Sequence, residues 1–157
     1  MSWLRRLFGD EPSRPSGPVD FLAEALALES AGDTSGATTS YRLALRDRPN
    51  DPKVLQNFAI LLSKTGQPDE AIRHYRRALE ADPSLAGAHY GIAFLLLKRS
   101  DVRGAVRHLE AFIATAPATG ESARWVDHAR VTLEQLRVRE ASMSASAGAL
   151  ESAILEP

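Results

Sequence analysis

Residues 52–83 read PKVLQNFAILLSKTGQPDEAIRHYRRALEADP, and this stretch decides the fold. Leu55, Phe58, Ala59 and Leu62 recur at helical spacing, which predicts an amphipathic helix with one buried stripe. Gly66 stops that helix. Pro68 sits where the next helix begins and where a missing amide donor costs nothing. The second helix carries Ala71, Tyr75 and Ala78 on one face and must end before Pro83, whose ring disfavours helical geometry at Asp82. Two antiparallel helices follow, approaching most closely where Ala59 and Ala71 are small, with Tyr75 filling the space beside them.

A shift of 34 residues carries the same pattern in both directions. It aligns Pro49, Pro83 and Pro117; Ala37, Ala71 and Ala105; and Ala25, Ala59 and Ala93. Leu28, Leu62 and Leu96 coincide as well, as do the turn residues Gly32, Gly66 and Ser100, and Tyr41 with Tyr75 and then Leu109. Agreement of several positions at one period marks three helix-pair repeats, at about 18–51, 52–85 and 86–119.

In this pattern the sequence resembles the tetratricopeptide repeat family, written W-x2-L-G-x2-Y, then A-x3-F, then P. The middle unit supplies Leu55-x2-Phe58-Ala59-x2-Leu62, then Ala71-x3-Tyr75, then Pro83. The flanking units depart from it: Glu24 stands where an apolar residue is usual, and the third unit has His89, Leu109 and Phe112 at positions usually smaller or differently shaped. The resemblance implies an all-α fold, a right-handed superhelical stack of three helix pairs plus a C-terminal capping helix. Residues 121–140 suit the cap, with Val126, Ala129, Leu133 and Leu136 as an apolar stripe. The repeat domain then spans 18–140, between a segment 1–17 that ends in the Pro, Gly and Ser linker GDEPSRPSG, and an Ala/Ser-rich tail 141–157 expected to fray.

The family uses the first helix of each pair to line a concave groove. Carried onto matching positions, that role falls to Leu22 and Leu26, to Lys53, Gln56, Asn57 and Ile60, and to Tyr90, Phe94 and Lys98. Val19, Ala23, Lys64, Gly87 and Gly91 share the same face. Two glycines four apart on a helix point to close packing or to room for a ligand. The family's clamp for a C-terminal carboxylate is mostly missing: Asn57 matches one position, but Leu22, Leu26, Gly87 and Gly91 stand where donors and cations are needed. A carboxylate there would be desolvated and unpaired, so an apolar or amphipathic segment of a protein partner is the expected ligand.

Composition narrows the classes. A formal net charge of -1 in 157 residues, with 44% hydrophobic and 25% charged, describes a soluble globular chain without the basic field of a nucleic-acid binder. The absence of cysteine removes disulfides, thiolate metal sites and cysteine nucleophiles. No phosphate loop or nucleophile elbow occurs, and neither catalytic residues, cofactors nor metal ligands are expected. His74 and His108, one repeat apart, read as exposed surface histidines, and His89 and His128 as packed at helix interfaces.

The start, MSWLRRLF, gathers Trp3, Leu4, Leu7 and Phe8 around Arg5 and Arg6. Charge interrupts the apolar core that a secretory signal requires, and Ser2 excludes myristoylation, so a cytoplasmic location is expected. Three roles stay open for this segment: a loosely packed start, docking in its own or a neighbour's groove, and attachment to a membrane surface or partner. The leading functional expectation is thus a non-catalytic adaptor. The alternative is a self-assembling or membrane-peripheral scaffold held through these four residues.

Overall fold

The computed structural model describes residues 19–117 and 119–155. Among them are seven α-helices: α1 Phe21–Ser30, α2 Thr34–Asp47, α3 Pro52–Lys64, α4 Pro68–Ala81, α5 Ala86–Lys98, α6 Val102–Thr115 and α7 Ala123–Leu155. A short 3-10 turn, Gly120–Ser122, leads into α7. The helices pack as α1/α2, α3/α4 and α5/α6 pairs, each pair stacks on the next, and α7 closes the stack against α6.

Local chemistry sets the boundaries. Asp20, Asp33, Asp51 and Asp101 each cap a helix by accepting from backbone N–H groups of the first turn, at 2.9 to 3.2 Å. Pro52 and Pro68 open α3 and α4. The three turn residues aligned by the repeat adopt one left-handed conformation, with φ of 81° at Gly32, 77° at Gly66 and 62° at Ser100. Serine makes that turn at a steric cost that glycine avoids.

The small residues do what their spacing implies. Ala25, Ala59, Ala93, Ala37, Ala71 and Ala105 are all fully buried, so first and second helices meet with little between their backbones. Tyr41 (α2), Phe58 (α3) and Leu55 complete the centre of the core, the Tyr41 and Phe58 rings stacking with centroids 5.4 Å apart. A second cluster joins α5, α6 and α7 through Leu109, Phe112, Val126, Ala129 and Leu133, with Leu136 at its edge. The predicted stripe of α7 is the face packed on α6.

Two expectations change. The last helix runs past Glu140 to Leu155, because nothing from Ala141 onward breaks it except the single Gly148, and alanine favours helix. His74 and His108 are also not surface residues. Both are half-buried, because each precedes the core residue of its second helix and faces the first helix of its own pair.

These histidines give the fold a pH dependence. The His74 ring packs 4.9 Å from that of Phe58, and its Nδ1 is buried without a hydrogen-bond partner. His108 Nδ1 lies 3.0 Å from Nδ1 of His89, which occupies the place of Leu55 in the repeat. His89 Nε2 is 3.2 Å from the Pro83 carbonyl, so His89 donates there and accepts from His108. Burial lowers the pKa of His74, with Arg77 adding to the effect, and burial lowers that of His108, helped by His89. Neutral imidazole is the form that folding favours. The unfolded chain therefore takes up more protons below about 6.5, and stability falls as pH drops through that range. Urea midpoints are expected to be level above neutrality and to decline on the acid side, with a shallower decline in His108→Asn. An unchanged slope would mean that the pair is not coupled to folding.

Candidate functional site

The first helices of the three pairs leave a concave face, and α7 walls its far end. Two connected hollows occupy it. The larger, about 630 Å³, is lined by Ile60, Tyr75, Tyr90, Phe112 and Trp125 around Gly87 and Gly91, with Lys64, Ala86, Ala116, Pro117 and Ser122 at its margin. The smaller, about 430 Å³, lies between α1 and α3 and is lined by Leu26, Glu29, Ser30, Asn57, Ile60 and Lys64. Ile60 and Lys64 belong to both, so the groove runs from α1 to α7.

The apolar character of the large hollow follows from how its aromatic residues are held. Tyr90 is the hub: its ring lies 5.0 Å from Phe112, 5.5 Å from Trp125 and 4.6 Å from Phe94, and its hydroxyl is 2.8 Å from His128 Nδ1. Tyr75 forms the floor. Burial raises its pKa to about 12, with Ser63 pulling weakly the other way, so it presents a neutral ring. Gly91 is small for a reason the structure supplies: a Cβ there would come 2.5 Å from the Tyr75 hydroxyl oxygen. Gly87 is crowded by the Gln56 amide, whose Oε1 a Cβ would approach to 2.9 Å. Close packing therefore accounts for Gly91, whereas at Gly87 only the end of the Gln56 side chain stands in the way, and both bare backbones border the open space.

The polar groups at the first end are already engaged. Lys64 Nζ donates to Glu29 at 2.7 Å, and Glu29 also accepts from the Tyr41 hydroxyl at 3.1 Å. Asn57 Nδ2 donates to the Lys53 carbonyl at 2.9 Å. Among the described residues, Lys64 is the only charged one lining the large hollow.

Of the residues assigned to the groove from sequence, the structure brings together Leu26, Asn57, Ile60 and Tyr90, with Lys64, Gly87 and Gly91 beside them. The others stand elsewhere. Leu22 packs half-buried against the core. Lys53 lies in a separate surface hollow with Arg48, Pro49, Asn50, Asp51 and Pro52. Gln56 turns against Gly87, with its Oε1 buried and unpartnered. Phe94 is covered by α7, stacked on His128 at 5.1 Å, and Lys98 is exposed at the end of α5 outside both hollows. Trp3, Leu4, Leu7 and Phe8 fall outside the described residues. Sequence reasoning missed Trp125 and Tyr75 as lining. Trp125 was visible as a large aromatic residue off the packed stripe of its helix, and it is 44% exposed.

Among the described residues no cluster of three or more His, Asp or Glu is arranged to hold a metal ion, and no helix is long and apolar enough to cross a membrane.

Three stacked helix pairs with a concave apolar groove and a terminal cap define a helical-repeat scaffold. The chain carries tetratricopeptide repeats: a TPR repeat family matches residues 61–99, and a second tetratricopeptide repeat family matches residues 40–73. Comparison with curated proteins finds no match. Among solved structures, the chain is similar to the TPR2B domain of yeast Sti1, described as a complex with pHsp70, at 24% identity and TM-score 0.65 over 73% of this chain and 94% of that one. It is also similar to the Yersinia enterocolitica type III secretion translocator chaperone SycD, at 16% identity and TM-score 0.71 over 77% of this chain and 83% of that one. PcrH in complex with the chaperone-binding region of PopD aligns at 18% identity and TM-score 0.69, over 76% of this chain and 90% of that one. At these identities the likeness is one of fold.

Proposed function

We propose that the protein is a non-catalytic adaptor that holds an apolar or amphipathic segment of a partner protein in the concave groove. The observation that carries this is the 630 Å³ hollow, whose lining is mainly aromatic and aliphatic, with Lys64, itself paired with Glu29, and Ser122 at its margin. An open apolar surface with few fixed polar groups suits a hydrophobic anchor from an extended or helical segment. It does not suit a carboxylate, because the cations and donors of a clamp are missing. The solved structures of like fold, several of them complexes with segments of partner proteins, support the same mode of use. Leu26, Asn57, Ile60, Tyr90 and Trp125 are the contact residues in this reading.

The test is capture from the source cell with the intact chain and an Ile60→Asp variant side by side, bound proteins being identified by mass spectrometry. Ile60 is preferred to Phe94 because Phe94 supports α7, and a charge there would disturb the cap. A partner held by Ile60 should bind the variant at least about tenfold more weakly, corresponding to about 1.4 kcal/mol, with circular dichroism unchanged. Equal capture by both proteins would remove the groove as the binding face. A partner kept by Ile60→Asp but lost on deletion of residues 1–9 would favour the scaffold alternative, in which Trp3, Leu4, Leu7 and Phe8 attach the protein.

A further inference from the structure

We infer that the outer half of α7 is a pairing arm, which binds antiparallel to the same segment of a second copy of this chain. Val126, Ala129 and Leu133 are buried against α6 and Leu136 is half-buried, and the packing ends with an ion pair of 3.0 Å between Arg137 and Glu110. Beyond that pair every residue whose burial is described, 138 to 146, is exposed, Met143 by 63%. The arm, residues 137–155, reaches about 28 Å at 1.5 Å per residue.

The spacing of the packed stripe does not stop where α6 does. Val126, Ala129, Leu133 and Leu136 are followed at alternating steps of four and three by Glu140, Met143, Ala147, Leu150 and Ile154. Within one continuous helix these positions share a face, so the seam already used inside the molecule extends along the arm. An alternation of three and four is the pattern by which one helix packs along another. A lone arm of this length, with Ser142, Ser144, Ser146 and Gly148 offsetting its alanines, would be only marginally helical in water. A partner helix along the seam supplies what propensity does not.

Register and charge select a second copy in antiparallel orientation. A parallel pair would set Glu140 against Glu140 on the seam, at a cost in like-charge repulsion. An antiparallel pair with Met143 opposite Ala147 sets Glu140 opposite Leu150 and Leu136 opposite Ile154. It also brings Arg139 of one copy level with Glu151 of the other, twice by symmetry. The alanines along the arm allow close approach. Val138, 60% exposed, lies on the opposite side of the helix and takes no part.

Sedimentation equilibrium on the full chain tests the arm. The wild type is expected as a species of twice the 17.1 kDa chain mass, Met143→Glu/Leu150→Glu as the monomer, and Val138→Glu as the dimer. A monomeric wild type overturns the proposal, as does a dimer that survives the seam substitutions. Orientation is read by disulfide capture, with no native cysteine to interfere. Met143→Cys mixed with Ala147→Cys should form the mixed dimer faster than either forms its own, and preferential self-linking would overturn the antiparallel register. Circular dichroism of each variant separates loss of pairing from loss of fold, since the arm lies outside the packed array.

Discussion

Phe58→Ala is expected to lower stability by about 3–5 kcal/mol, the usual range for emptying a buried aromatic site. Phe58 is 1% exposed and sits between the Tyr41 ring at 5.4 Å and the His74 ring at 4.9 Å, so it joins α2 of the first pair to both helices of the second. The Tyr41 ring, held by its hydroxyl bond to Glu29, cannot move into the void without leaving that contact. In a linear array, stability is the sum of units and the interfaces between them. Loss of this interface releases the first pair from the rest, in a stack already at the three-repeat minimum. Urea unfolding followed by circular dichroism measures the effect, with a broadened transition or a second one as the first pair uncouples. A loss below about 1 kcal/mol would mean that the interface between the first two repeats is not held here.

Gly91→Ala is expected to destabilise by about 1–3 kcal/mol, although alanine is the better helix former. The gain in propensity is about 1 kcal/mol. Against it stands overlap with the Tyr75 ring, which is 3% exposed and held at the floor of the groove. Gly87→Ala has the opposite expectation, near neutral or mildly stabilising, because its obstacle is the end of the flexible Gln56 side chain. The cycle with Tyr75→Leu separates strain from backbone effects: in that background Gly91→Ala should cost nothing. If Gly91→Ala proves stabilising in the wild type, the Tyr75 ring moves more freely than its burial implies.

Much of the architecture was legible because it repeats. Spacing places Ala59 and Ala71 at the close helix contact, the offset of 34 residues aligns Ala25, Ala93, Ala37 and Ala105 with them, and all six are fully buried. The turns at Gly32, Gly66 and Ser100 were legible on the same ground, and their common positive φ explains why the period falls there. The groove was only partly legible. Ile60 and Tyr90 could be placed by carrying a helix face from repeat to repeat. Trp125 and His128 could not, because α7 has no counterpart at that offset: periodicity says which stripe of a helix packs, not what its flank meets. The packing of Phe94 on His128 was hidden for the same reason, since its cover comes from α7. The histidine pair depended on His89 replacing Leu55, a single exchange whose consequence is seen only when α5 and α6 are brought together.

The position of Trp125 limits how this protein can change in length. Arrays of this kind grow by copying one 34-residue unit into the row, which leaves each interior interface much as it was. Here a fourth helix pair placed after α6 would separate α7 from α5 and carry Trp125 and His128 away from Tyr90. The groove would lose its end wall at the moment the stack gained a unit. The end wall of the concave face and the cap of the stack thus reside in one helix, and the number of repeats is constrained by the shape of that face as well as by folding.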